Sequence, residues 1–148
     1  MRLNHLLAAA LLVAGLVLSG CGSDQENAPP PPPARSTITV YSNGEAVKTF
    51  IATNAGANQG TGYGIAEGAT VYTYVGGTFA VEPLNNPSGA ERTADAKLKV
   101  TIFSGDKAVR VWYATEGASN SGIGYFKTPG ASNWTYVGGT YVVEPLPQ

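Results

Sequence analysis

The sequence predicts an all-β protein: two tandem copies of a small antiparallel β module, packed as one sandwich or open barrel. Three observations carry this reading. Gly 19, Pro 10 and Tyr 8 stand against a single Met, so the chain is poor in helix formers and rich in turn and strand residues. Residues 73–84 (TYVGGTFAVEPL) recur as residues 135–146 (TYVGGTYVVEPL), and the offset of 62 holds without a gap back to Ile38 and Val100. Within each copy, turn dipeptides punctuate short alternating apolar runs.

The repeat sets the organisation. Residues 36–84 form the first copy, 85–97 a connector and 98–148 the second copy. Asn43-Gly44 is a type I′ hairpin signal, replaced by Gly105-Asp106 in the second copy. Glu67-Gly68 and Pro129-Gly130 mark a turn, and Gly76-Gly77 and Gly138-Gly139 read as a further two-residue hairpin. Pro83 and Pro145 end the last strand, because proline donates nothing to a ladder. Each copy therefore holds about five short strands. A module of roughly 50 residues is marginal alone, so the two copies are expected to share a core.

Alternation assigns the faces. In the first hairpin Ile38, Val40, Val47 and Ile51, matched by Val100, Ile102, Val109 and Tyr113, form an aliphatic side suited to a core. The opposite side is Tyr41, Ala46, Lys48 and Phe50, matched by Phe103, Ala108, Arg110 and Trp112. Across the Gly-Gly turn, Tyr72, Tyr74, Phe79 and Val81 share a side, as do Trp134, Tyr136, Tyr141 and Val143, and this aromatic side is expected to be core.

The N-terminus is the most specific signal. Arg2 supplies a positive charge, residues 6–18 are almost wholly apolar but too few for a stable membrane span, and Leu18-Ser19-Gly20-Cys21 follows at once. This stretch resembles the lipobox of bacterial lipoproteins. The resemblance covers residues 1–21 alone and implies a signal peptide over 1–20, cleavage before Cys21, a diacylglycerol on its thiol and a further acyl chain such as palmitate on its amine. In that family Asp after the cysteine marks retention in the inner membrane. Gly22 stands there, which implies the cell outer membrane in a host that has one. Two or three acyl chains, at about 0.8 kcal/mol per buried CH₂, hold essentially permanently. Residues 21–35 then read as a lipidated cysteine and a Pro-rich linker, extended at about 3.1 Å per residue through Pro29–Pro33, that stands the body off the headgroups. Cys21 is the only cysteine, so the exported body is expected to be stable by packing without disulfides.

Chemistry is bounded mainly by what the chain lacks. Its only His is His5, inside the signal peptide, and its only Cys is the lipid site. The mature chain thus offers no imidazole base, thiol nucleophile or ordinary zinc set, and no enzyme, metal or cofactor is expected. Glu82 and Glu144 recur because the module recurs. Residues 60–64 carry the glycines of a phosphate loop but no lysine, and read as a loop-to-strand transition. The stretches 54–61 and 116–123, read as loops, hold Glu116 as their one carboxylate, which argues against calcium. A net charge of -1 argues against nucleic acid.

What remains is a binding or docking surface. The strongest candidate is the side where Tyr41, Lys48 and Phe50 of one copy match Phe103, Arg110 and Trp112 of the other. Rings beside a cation suit sugars, which offer apolar C–H faces and hydroxyl acceptors. The expected function is a membrane-anchored, non-catalytic binding module of the cell envelope with polysaccharide as partner. The alternative is a structural or accessory lipoprotein docking to an envelope protein. Exposure of Phe50 and Trp112 separates the two.

Overall fold

The computed structural model describes residues 30–148; Cys21, the signal segment and the first part of the linker lie outside the described residues. Residues Pro33–Gln148 form one contact unit, which contains every strand among the described residues. In the first copy these are β1 (Arg35–Ser42), β2 (Glu45–Asn58), β3 (Thr61–Ala66), β4 (Thr73–Val75) and β5 (Thr78–Pro83). In the second they are β6 (Leu98–Ser104), β7 (Lys107–Ala114), β8 (Glu116–Asn120), β9 (Ile123–Lys127), β10 (Thr135–Gly138) and β11 (Thr140–Pro145). The class is all-β, in two antiparallel sheets of order β4-β3-β2-β1-β5-β10-β9-β8 and β11-β6-β7. A shift of 62 residues lays β1 on β6, β2 on β7 plus β8, β3 on β9, β4 on β10 and β5 on β11.

The first hairpins form as their turn chemistry dictates. Asn43 and Gly44 both take positive φ, the type I′ pattern, whereas in the second copy only Gly105 does, the II′ pattern. A further pair of tight turns stands where the sequence suggested loops. β2 runs on to Asn58 and reverses at Gln59-Gly60, and β8 reverses at Ser121-Gly122, all four residues at positive φ. Stretches 54–61 and 116–123 are therefore strand and hairpin, not loop.

The Gly-Gly dipeptides, in contrast, do not make hairpins. β4 pairs with β3 while β5 pairs with β1 and β10; likewise β10 pairs with β9 and β5, and β11 with β6. Only the second glycine of each dipeptide has positive φ, so the chain crosses between layers rather than folding back on itself. Each copy is consequently a small two-layer unit. β3 and β4 lie over the inner face of β1 and β5, close enough that a Cβ at Gly64 would stand 2.9 Å from Ile38 Cδ1. In the second copy Phe126 occupies the position of Gly64 and fills its core instead.

A single shared core is not what results. Ile38, Ala52, Val75, Phe79 and Val81 of the first copy form one cluster, and Val100, Ile102, Trp112, Ala114, Phe126 and Val137 of the second form another. The copies exchange residues: Ala80 enters the second cluster, while Ile123 enters the first. β5 sits between the two, with Phe79 and Val81 turned to one core and Ala80 to the other.

The close passage at the β5–β10 junction makes a contrast within one dipeptide repeat. A Cβ at Gly138 would run into the Phe79 ring, whereas one at Gly76 meets no atom within 4 Å. Neither glycine has positive φ. Gly138→Ala is expected to destabilise by about 1–3 kcal/mol through overpacking, and Gly76→Ala to change monomer stability by less than about 0.5 kcal/mol. Urea unfolding of the two variants measures the difference.

Candidate functional site

A β-bulge decides where the sequence-derived candidates lie. In β1–β2, Val40 pairs with Lys48 but Tyr41 pairs with Ala46, which leaves Val47 as an extra residue; Val109 is the extra residue between Ile102 and Phe103 in β6–β7. One inserted residue flips every side chain beyond it to the other face. Phe50 and Lys48 therefore lie on the side of Ile38 and Val40, and Trp112 and Arg110 on the side of Val100 and Ile102. The expected separation into an aliphatic inner side and an aromatic, basic outer side does not hold.

Trp112 is fully buried, and its ring packs on Phe126 at a centroid separation of 5.3 Å. Its Nε1–H donates to Glu82 Oε1 at 2.9 Å, and Arg110 Nη2 donates to the same oxygen at 2.6 Å. Arg110 also lies over the Trp112 ring, Cζ to centroid 5.1 Å, and its Nε is buried without a partner. Tyr41 belongs to this group: burial first, and then the Glu82 carboxylate, raise its phenol above the ordinary value, against a smaller opposing effect of Arg110. Tyr41, Arg110 and Trp112 are thus brought together around a carboxylate between the two copies, where they serve packing. Lys48 and half-buried Phe50 remain at the surface, Nζ 5.3 Å from the ring centroid. Phe103 is half-buried too, and its carbonyl accepts from Thr78 Oγ1 at 3.4 Å.

A different group of rings faces solvent. Tyr63 on β3, Tyr74 on β4 and Tyr72 just before it form an aromatic cluster, with Tyr63 and Tyr72 edge to face at 5.9 Å and Tyr72 and Tyr74 tilted at 6.1 Å. Tyr72 is 44% and Tyr74 67% exposed, so the expectation that they sit in the core with Phe79 and Val81 is corrected. The reason is the layer crossing at Gly76-Gly77, which breaks the alternation that linked them. The rings line a shallow recess with Asn58, Gln59 and Thr61 from the β2–β3 turn.

The same arrangement recurs 62 residues on. Tyr125 and Trp134 meet edge to face at 5.3 Å with the same interplanar angle of 77° as Tyr63 and Tyr72. With Tyr136, Asn120 and Ser121 they line a second recess, and Asn58 lines both. Lys127 Nζ stands 4.7 Å from the Trp134 centroid and 3.3 Å from Glu116 Oε1. Burial, and then the neighbouring Tyr63, raise the Tyr136 phenol above its ordinary value. Each recess joins aromatic faces to amide and hydroxyl groups. Among the described residues no group of three or more His, Cys, Asp or Glu side chains is placed to hold a metal ion. Sequence reasoning missed Tyr63, Tyr125, Asn58 and Asn120, although Asn58, Gly60, Gly62 and Tyr63 recur in register as Asn120, Gly122, Gly124 and Tyr125. No protein-family model matches the chain, and no curated protein or solved structure matches it either.

The buried cluster yields a graded test. Trp112→Ala is expected to destabilise by about 3–5 kcal/mol, as truncating a core aromatic does. Trp112→Phe, which keeps the ring but gives up the bond to Glu82, should cost only about 1–2 kcal/mol. Urea denaturation followed by circular dichroism reads both values.

Proposed function

We propose that this protein is a membrane-anchored cell-envelope lipoprotein whose body is a non-catalytic binding module for polysaccharide. Burial of Trp112 and half-burial of Phe50 take away the side from which binding was expected, and the observation that carries the reading is instead the duplicated recess, Tyr63, Tyr72 and Tyr74 beside Asn58 and Tyr125, Trp134 and Tyr136 beside Asn120. Ring faces stack on the C–H faces of sugars, while side-chain amides and phenols exchange hydrogen bonds with the hydroxyls. Tyr72 and Tyr74, 44% and 67% exposed, keep much of their area outside the core, so ligand binding is a use for them that packing does not supply. Asn58 lines both recesses, so a polymer chain can run from one to the other and gain avidity. The lipobox and the proline stalk supply the anchor in this reading and hold the body at a distance from the membrane.

Two experiments test it. In a glycan array and in pull-down on insoluble cell-envelope polysaccharides, Tyr74→Ala and Trp134→Ala should each weaken polymer binding by roughly tenfold or more. Tyr74→Ala should leave the unfolding free energy within about 0.5 kcal/mol of the parent. Full binding by the Tyr74→Ala, Trp134→Ala double variant would remove the proposal. For the anchor, Cys21→Ser should abolish acylation and normal processing. Intact-mass measurement of the membrane fraction checks this, and an unlipidated mature protein starting elsewhere would refute it.

A further inference from the structure

The junction between the copies exists once inside the chain, and both of its halves exist again at the free edges. Inside, β5 of the first copy pairs with β10 of the second, with Tyr136 opposite Val81, Val137 opposite Ala80 and Gly138 opposite Phe79. Shifted by 62 residues, the same strands are β11 and β4, and these are the edge strands of the two sheets. The other two edges, β7 and β8, are consecutive pieces of one chain stretch separated only by Thr115. β4 and β11 are thus the two complementary halves of a junction that the chain itself does not close.

The residues at those edges keep the chemistry of the closed junction. Glu82 accepts from Arg110 and Trp112; its counterpart Glu144 would meet Lys48 and Phe50, which already hold the same cation-over-ring arrangement, 5.3 Å against 5.1 Å. Glu144 is at present paired with Lys99 at 3.4 Å across an exposed surface, a contact worth little and easily exchanged. Ala80 is fully buried, whereas its counterpart Val142 is 44% exposed. Gly138 must be glycine because Phe79 lies against it, but Gly76 has open space around it, and a Tyr141 ring arriving from outside would require a glycine there.

We propose that the protein assembles head to tail, β11 of one molecule pairing with β4 of a second copy of this chain in the register that β5 and β10 use internally. Val142 then lies opposite Val75, and Glu144 reaches Lys48. Such a contact is heterologous, so it builds rings if the rotation closes and filaments if it does not. One position weakens it relative to the internal junction. Gly44 lies beside Lys107 inside the chain, with its N–H donating to Ser104 Oγ at 3.0 Å. The corresponding residues between molecules are Asp106 and Glu45, which repel. Association is therefore reversible, favoured by salt at this point and by the crowding that a membrane anchor imposes.

Sedimentation velocity of the purified full chain in detergent micelles, from about 1 μM to about 1 mM, tests the proposal. The parent should associate progressively with concentration. Glu144→Lys and Lys48→Glu should each weaken association by roughly tenfold or more, and the two together should restore it. Asp106→Gly should strengthen it, and Val142→Lys should block it without changing monomer unfolding. Trp134→Ala, which removes a ring from the proposed sugar platform, should leave it unchanged. For register, a Val142→Cys chain mixed with a Val75→Cys chain should give a disulfide-linked dimer on oxidation. A monomer at every concentration, association indifferent to the charge reversals, or no disulfide between the Val142→Cys and Val75→Cys chains would each overturn it.

Discussion

Everything in this body hangs on β5, a strand buried on both sides. Phe79 and Val81 complete the first core while Ala80, between them in sequence, completes the second, and all three are essentially inaccessible. Fully burying a side chain such as Phe or Val contributes about 1.5–3 kcal/mol. Because both contributions lie on one short strand, neither core can form without placing the other. The ladder from β5 to β10 then sets the relation between the copies, and Glu82, on the Ala80 side, fixes it by receiving Arg110 and Trp112 from the second copy. An Arg–carboxylate pair half out of water is directional more than strongly stabilising, so its effect is mainly to specify this arrangement over near alternatives.

Duplication followed by divergence explains why the copies are not interchangeable. Gly64 lets β3 settle on Ile38, while Phe126 at the same position packs on the Trp112 ring and fills the second core. Phe50 and Trp112 differ in the same sense, the larger ring standing in the copy that encloses it fully. The first copy has spread its apolar surface toward an open edge, and the second has closed around its own. At both positions the larger side chain stands in the second copy.

The class, the duplication, the Asn43-Gly44 hairpin and the strand ends at Pro83 and Pro145 were legible in the sequence because each depends on local chemistry or on direct comparison of the copies. The faces were not. Alternation counts residues from a turn, and the extra residue at Val47 and Val109 shifts that count by one without any glycine or proline to announce it. This is why the ring and cation chosen as a surface, Trp112 and Arg110, lie at the centre of the second core and its junction. Gly76-Gly77 misled for a related reason. A two-glycine step satisfies a tight hairpin and a crossing between layers equally well locally, and only the partners of β4 and β5, set by distant strands, decide between them.

The same crossing frees the aromatic residues for another use. In a hairpin Tyr72 and Tyr74 would share a side with Phe79 and Val81 and would be consumed by packing. Because the chain changes layers after Val75, its apolar side serves the core through Val75 while the tyrosines stand on the outside of β4, next to Tyr63 of β3. The second copy repeats this with Trp134 and Tyr136, and the β5–β10 ladder then brings the second set against the first, so that Asn58 belongs to both recesses and Tyr63 influences the Tyr136 phenol. The spacing of the two surfaces is therefore not a loop property that can drift. It is set by the buried strand that joins the cores, so a change at the junction reaches the surface through backbone register and through Tyr136, which pairs with Val81 in the ladder and lines the second recess.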